Sequence, residues 1–312
     1  MARINTADIL HELATRGMHA SLIGDHRTAL GFCSLRAPTD SGVYFATSEV
    51  SMVPPTRNSI VICDARRDEV DLSCNSLLVT ADPQRAFYVL QHVYHPPQPR
   101  SGIHQTVVID EDAVVSASAY IGPYCVIGRS TIGPDCVLES HVVVRDNVTL
   151  ESGVTVESHS TLGATGVAWV WDETNGKKIV QPQTGGVHVG EGSFIGTDVT
   201  IVRGSVNEMT TVGENCQIAH GTKIGHSCRI GPLVHFANNV TIAGGVTIGR
   251  ESFLSSGCVI RPRITLPRGT TVGAGAVVVS APEGEYMTVI GVPARSIGPS
   301  KTRMAGIPYR SK

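Results

Sequence analysis

The chain has 312 residues, a formal net charge of −2, and only 5% aromatic residues against 33 glycines. The near-neutral balance excludes the overall basic footprint of a nucleic-acid binder. The length suits two domains or one long repeat, and so few rings with so many glycines imply a thin aliphatic core with tight turns.

The opening stretch MARINTADILHELATRG carries no long apolar run, so it reads as a helix of a soluble domain rather than a signal peptide or membrane span. Thr6 is placed to cap it, Ile9, Leu10 and Leu13 give it an apolar face, and Gly17 stops it. GVYFA (42–46), SIVICDA (59–65) and SLLVTA (76–81) are strand-like runs. Asp82 followed by Pro83 starts a second helix, faced by Ala86, Val89, Leu90 and Val93. HPPQPR (95–100) ends it and forms a linker. Residues 1–100 are therefore expected to form a small α/β domain.

From Ile103 an aliphatic residue returns every six positions: Ile103, Ile109, Val115, Ile121, Ile127, then Ile132, Leu138, Val144, Leu150, Val156 and Leu162. The period resumes at Val189, Ile195 and Ile201, and again from Val212 through Ile218, Ile224, Ile230, Phe236, Ile242, Ile248, Leu254, Ile260 and Leu266 to Val272. Such a period is the signature of a parallel β-helix, in which three units make a triangular coil of 18 residues. The 25 units predict about eight coils, stacked at roughly 4.8 Å per layer. The fifth residue of each unit also points inward and must be small. Five of the eight cysteines stand there (Cys125, Cys136, Cys216, Cys228 and Cys258), as expected of reduced core fillers in a cytoplasmic protein. The β-helix is expected over 101–280, interrupted by an excursion at 163–188, with a C-terminal tail at 281–312.

Several motifs carry a family resemblance. LLVTADPQRAFYVLQHVYHPPQPRSGIHQTVVIDEDA (77–113) and the loop GATGVAWVWDETNGKKIVQPQ (163–183) resemble the UDP-3-O-acylglucosamine N-acyltransferases of lipid A synthesis. GHSCRIGPLVHFANNVTIAGGVTIG (225–249) and VIGVPARSIG (289–298) resemble sugar acetyltransferases of the bacillosamine and sialic acid type. Both are hexapeptide-repeat acyltransferases, and the resemblance implies a left-handed β-helix assembled as a homotrimer. It also implies an N-acyltransferase acting on a nucleotide-linked amino sugar, with an acyl thioester as donor. Phe45 matches a pocket aromatic of the nucleotide-binding domain, whereas Ser51 stands where a tyrosine is expected. The second, late histidine of the lipid A enzymes falls on Arg263, and the acidic residue that follows the acetyltransferase histidine is Ser227 here. No counterpart of the lipid A enzyme's C-terminal helical extension follows the repeat. Together with the Gly-Val-Pro-Ala-Arg ending this tilts the expected donor to acetyl-CoA, with acyl carrier protein as the alternative.

Two histidines compete for the catalytic role. His220 lies in QIAH, a string like that around the lipid A enzyme's histidine, whereas counting units back from the unbroken downstream run, and the acetyltransferase match, select His226. Successive units occupy successive faces, so the two rings should leave the helix about 120° apart. His226 is taken as general base, with His220 as the alternative and His235 as a second histidine able to stabilise the oxyanion. A neutral imidazole with an ordinary pKa of about 6.5 suits proton removal from an attacking amine. No cysteine nucleophile is required, and Cys228 points into the prism.

Gly244 and Gly245 are expected to admit the donor's pantetheine arm to the backbone, and Arg261, Arg263 and Arg268 to meet its phosphates. Lys301, Arg303, Arg310 and Lys312 in the tail share that role or are simply solvated. Trp169 and Trp171 either cover a sugar or acyl group or pack the excursion against the helix. Two readings from other classes remain: a noncatalytic scaffold, and a zinc hydratase of the carbonic anhydrase kind using His220, His226 and His235. The acyltransferase reading assigns no metal.

Overall fold

The computed structural model describes residues 3–48, 53–96 and 98–299, and the chain divides into two compact units between Pro99 and Arg100. In the smaller unit a five-stranded sheet runs in the order Ala20–Ile23, Ser76–Thr80, Ile60–Cys63, Gly42–Ala46, Gly31–Phe32. The first pair is antiparallel and the others parallel. All three strand-like runs are strands, and two short strands join them. Alternation along the strands feeds two cores. Ile60, Ile62 and Leu78 pack with Ile9, Leu13, Phe87 and Leu90 of helices α1 (Thr6–Thr15) and α2 (Pro83–Tyr94), while Val61, Cys63 and Leu77 turn to the other face. The cap of α1 lies one residue earlier than expected. Asn5 accepts from the Asp8 N–H at 2.8 Å, and Thr6 is buried with its hydroxyl 2.8 Å from His26 Nδ1. Asp82 caps α2 as expected, accepting from the Arg85 N–H at 3.0 Å.

The larger unit is a parallel β-helix, as the six-residue period implies, closed by three sheets, and it is left-handed, as the resemblance implies. The first face begins with Gly102–Ile103, the second with Val108–Ile109 and the third with Val114–Val115; they hold 11, nine and eight strands. Each strand pairs with its counterpart one coil on, as in Ile224 with Ile242, Ile242 with Ile260, and Ile260 with Val278. The nine strands of the second face make nine coils rather than about eight, because Val278 and Val289 extend the buried ladder past Val272. Consequently residues 281–299 do not form a separate tail. Met287–Ile290 joins the first face in parallel, and Arg295–Pro299 returns antiparallel against it. Lys301, Arg303, Arg310 and Lys312 lie outside the described residues.

The corners of the prism have a fixed chemistry. The fourth residue of unit after unit lies at positive φ, including Asp135, His141, Asn147, Ser227, Leu233, Asn239, Glu251 and Arg263. Left-handed backbone at a β-branch-free or polar residue is tolerated only where the surroundings insist on it, and here the corner must turn within two residues.

Two insertions break the period. Strands Thr161–Ala164 and Gly186–Val189 both remain in the helix, so the excursion proper is 165–185, shorter at each end than 163–188. It folds as a hairpin, Trp169–Asp172 against Lys177–Val180. The second insertion, at 203–208, separates strand Thr200–Val202 from Met209–Val212. Both leave the same corner, between the second and third faces.

Burial inside the prism pushes the thiols of Cys216 and Cys228 up to about 11 and that of Cys258 to about 12. All eight cysteines are free, and only Cys33 and Cys74 are not buried. A thiol-counting titration of native protein is therefore expected to find two reactive groups, with the other six appearing only in denaturant. Rapid native labelling of Cys228 would contradict the packing described.

Candidate active site

Eighteen residues per coil bring equivalent corner residues into line along the prism. At the corner between the second and third faces that line runs His226, Gly244, Pro262. His226 ends the unit-opening stretch Ile224-Gly225-His226, so its ring leaves the corner while Ile224 fills the core. The imidazole lies directly over Gly244. A β-carbon there would come within 2.8 Å of its Cδ2 and Cε1, and closer still to Nε2. Glycine is therefore needed at 244 for the ring to adopt this position.

A groove of about 400 Å³ runs from His226 along this corner, lined by Gly244, Arg261, Pro262, Arg263, Ile264 and Val279. It thus gathers four of the expected site residues: His226, Gly244, Arg261 and Arg263. Both guanidinium-bearing residues are exposed, and no carboxylate among the described residues pairs with either. The groove combines a half-buried imidazole, an apolar strip and two cations. That is a site suited to a ligand with an anionic group at one end and a reacting centre at the other.

His220 sits on a different corner, between the first and second faces. Its Nδ1 accepts a hydrogen bond from the Thr197 N–H at 2.9 Å. With that lone pair engaged, the neutral ring carries its proton on Nε2, so the outward nitrogen is a donor and not a base. No backbone N–H among the described residues is bonded to the Nδ1 of His226, which lies 3.3 Å from the hydroxyl of Ser227. The two rings thus differ in the partner at Nδ1, a fixed backbone donor for His220 and a hydroxyl able to donate or accept for His226.

Other expected site residues lie elsewhere. His235 projects from strand His235–Phe236 on the first face, which lies across the prism from the groove's corner. Its ring packs 4.9 Å from that of Phe253, its Nδ1 is buried without a hydrogen-bond partner among the described residues, and burial holds its pKa below the ordinary value. Within one chain it does not reach His226. Arg268 occupies the corner between the third and first faces. Its guanidinium donates to Glu251 at 3.0–3.1 Å and lies over the Tyr286 ring at 5.5 Å. Burial alone would raise the Glu251 carboxyl, but bonds from Arg268 and Tyr286 hold it below its usual range. The charge of Arg268 is committed to this cap, not to the groove. Gly245 supplies the left-handed corner residue, at φ 71°, without lining the groove.

Phe45 belongs to the smaller unit. It packs half-buried, 5.0 Å from Phe87 and 6.2 Å from Tyr88 of α2. Ser51 lies outside the described residues. Trp169 and Trp171 stand on the excursion hairpin, about half exposed, with Lys178 Nζ 4.5 Å above the Trp169 ring. The hairpin therefore does not bury its indoles against its own helix.

The zinc reading loses its ligand set in one chain: His220, His226 and His235 occupy two different corners and a face. No group of three potential metal ligands occurs among the described residues. Sequence reasoning missed Pro262, Ile264 and Val279, although stepping 18 and 36 residues on from His226 leads to the first of these and to its neighbours. It also missed Ser205, Thr210 and Gln181, which insertions bring to the corner and which no period can locate.

Comparison with known proteins agrees with this architecture. Residues 209–244 match the model of the bacterial transferase hexapeptide, six repeats. UDP-3-O-acylglucosamine N-acyltransferase from Coxiella burnetii is 30% identical over 187 residues, 54% of each chain. Its counterpart from Bordetella parapertussis is 32% identical over 218 residues, 62% of this chain and 59% of that one. The chain thus spans between half and three-fifths of the length of these curated relatives. Among solved structures, the UDP-N-acetylglucosamine O-acyltransferase of Moraxella catarrhalis superposes with a TM-score of 0.58 at 27% identity, covering 64% of this chain and 75% of that one. The UDP-N-acetylglucosamine acyltransferase of Francisella novicida gives 0.56 at 29% identity, covering 63% and 69%. The chain resembles hexapeptide acyltransferases in sequence and in fold.

Gly244→Ala tests the site's packing directly. The added methyl is expected to force the His226 ring out of its present position while leaving the coil intact, since residue 243 already carries a β-carbon at the neighbouring position. A crystal structure of the variant with an undisplaced ring would contradict the contact.

Proposed function

We propose that this chain is an N-acyltransferase moving an acyl group from a thioester to the amine of a nucleotide-linked amino sugar, with His226 as general base. One observation carries the reading: the His226 ring, its Nε2 on the Gly244 side, opens onto a groove whose farther wall holds Arg261 and Arg263. The relatives named above act on UDP-linked glucosamine derivatives, and the groove's two cations suit a phosphate-bearing ligand.

The chemistry needs few groups. The amine nitrogen attacks the thioester carbonyl carbon as its proton passes to Nε2 of His226. The tetrahedral intermediate collapses with cleavage of the C–S bond, and the proton returns to the departing thiolate. The oxyanion requires a preorganised donor, which the backbone N–H groups of a rigid corner are suited to provide. No acyl-enzyme forms, and Cys228 stays out of the reaction because burial raises its thiol to about 11.

The donor reading shifts with the comparisons. The Gly-Val-Pro-Ala-Arg ending favoured acetyl-CoA, but that segment closes the ninth coil and lies away from His226. The relatives named above are UDP-sugar acyltransferases of the kind the lipid A resemblance implied, and this favours an acylated carrier protein. Arg261 and Arg263 suit either donor, since both present a phosphopantetheine arm. The protein acts as a homotrimer in this reading, supported by the apolar hairpin residues Val170, Trp171, Ile179 and Val180, which lie 54–63% exposed in the single chain and call for cover. We place it in the cytoplasm, where its thiols stay reduced; no helix among the described residues is long and apolar enough to cross a membrane.

His226→Ala should lower turnover by about a hundredfold or more, the scale of general base catalysis, whereas His220→Ala should retain most activity. Thiol release is measured with a panel of UDP-linked amino sugars, offering acylated carrier protein and acetyl-CoA in parallel. Greater turnover with the carrier protein is expected. A dead His220→Ala with an active His226→Ala would reverse the assignment, and no release with either donor would overturn the enzyme reading.

A further inference from the structure

The hexapeptide acetyltransferases that the second half resembles place an acidic residue after their histidine, and here that residue is Ser227. It stands at φ 57°, held on both sides by the 203–208 insertion and the strand that follows it. Its N–H donates to the Thr210 hydroxyl at 2.9 Å, and its own hydroxyl oxygen accepts from the Ser205 N–H at 3.2 Å. Thr210 in turn donates to the Val202 carbonyl at 2.6 Å. The same hydroxyl of Ser227 lies 3.3 Å from His226 Nδ1.

The chain of contacts continues outward. The Ser205 hydroxyl donates to Gln181 Oε1 at 3.1 Å, and the Ser205 carbonyl accepts from the Thr184 N–H at 3.0 Å. The Thr184 hydroxyl donates to the Val206 carbonyl at 2.7 Å. Gln181 follows directly on the hairpin strand Lys177–Val180, and Gln183 anchors the same root by accepting from the Gly166 N–H. A continuous hydrogen-bonded path therefore runs from the base of the hairpin, through Gln181 and Ser205, to Ser227 and the His226 ring.

We infer that Ser227 is the positioning residue for His226, and that Gln181 and Ser205 couple its hydroxyl to the excursion. This rests on the reading of His226 as general base. A serine oxygen has two lone pairs. One accepts from the Ser205 N–H, and the second is free to accept from His226 Nδ1–H. A ring protonated on Nδ1 leaves the Nε2 lone pair facing the groove, which is the form a base requires. The Ser205 N–H fixes the direction of one oxygen lone pair, and the turn of Ser227 fixes the oxygen's place. The hydroxyl thus orients the ring without bringing a charge. Because Ser205 belongs to an insertion bonded to the excursion, movement of the hairpin reaches the ring.

The test uses the full-length protein with 15N-labelled histidine, where the protonated and bare ring nitrogens resolve, and His226→Ala assigns the signal. Wild type is expected to carry its proton on Nδ1. Ser227→Gly removes the hydroxyl at a backbone angle that glycine adopts freely, so folding is preserved. It should move the ring toward the Nε2–H tautomer and lower kcat by about tenfold to a hundredfold with KM within about twofold. Ser227→Asp restores an acceptor, and aspartate also tolerates left-handed backbone, so it should restore the Nδ1–H form and much of kcat. Gln181→Ala should shift the same ring signal and lower kcat by a few-fold. An Nε2–H ring in wild type, or unchanged ring signals and kcat in Ser227→Gly, overturns the proposal. Unchanged signals in Gln181→Ala overturn the coupling to the excursion. The nitrogen signals need no turnover, so failure of the acyltransfer reading would show in the activity assays alone and is distinguishable.

Discussion

The corner turn at the fourth residue of each hexapeptide is the constraint on which the rest of the structure depends. It must change direction within two residues, and it does so by holding residues such as Asp135, Asn147, Ser227 and Arg263 at positive φ. Because every corner turns the same way, each coil consumes 18 residues and each corner stacks on the last. His226 lies over Gly244 for that reason, and Pro262 with its two flanking arginines continues the same line. The β-helix acts as a ruler, converting sequence spacing into distance along an edge.

On that ruler the insertions supply what repetition cannot. Both open at the corner that carries His226, and they bond to each other before they reach Ser227. A rigid lattice holds the imidazole and the groove while an irregular segment supplies the neighbours of Ser227. The contrast with His220 shows the effect of the local partner. Its ring occupies the same place in its own unit, yet a backbone N–H from Thr197 claims its Nδ1 and turns the outward nitrogen into a donor. Identical positions in the repeat thus meet different partners.

Much of this was legible in the sequence, because a strict period leaves little freedom. The aliphatic ladder gave the three faces and the inward cysteines, counting units selected His226, and the donor's needs pointed to Gly244, Arg261 and Arg263, which the structure lines up along one corner. The period misled where its continuation was degenerate. Residues 281–299 contain a further unit ending at Val289 that the Pro- and Gly-rich spacing disguised as a tail. Arg268 looked equivalent to Arg263, but five residues carry it to another corner, where Glu251 and Tyr286 bind it. His235 stands nine residues from His226 along the chain, yet the sixth place in a unit belongs to a face and not a corner. The Ser205–Ser227 contact had no sequence signal, since it depends on how a nonrepeating loop folds back. In the smaller unit the resemblance points to Phe45 as a pocket ring, and the structure shows that ring packed beside Phe87 and Tyr88 of α2.

The central claim is that one edge of the β-helix, at His226, is where amine and thioester meet. It is tested most directly by a crystal structure of the protein with a non-hydrolysable acyl-pantetheine thioether. The account predicts the carbonyl of the analogue beside Nε2 of His226, with the arm running over Gly244 and its phosphate between Arg261 and Arg263. An analogue bound instead along the corner of His220, leaving the His226 groove empty, would contradict it.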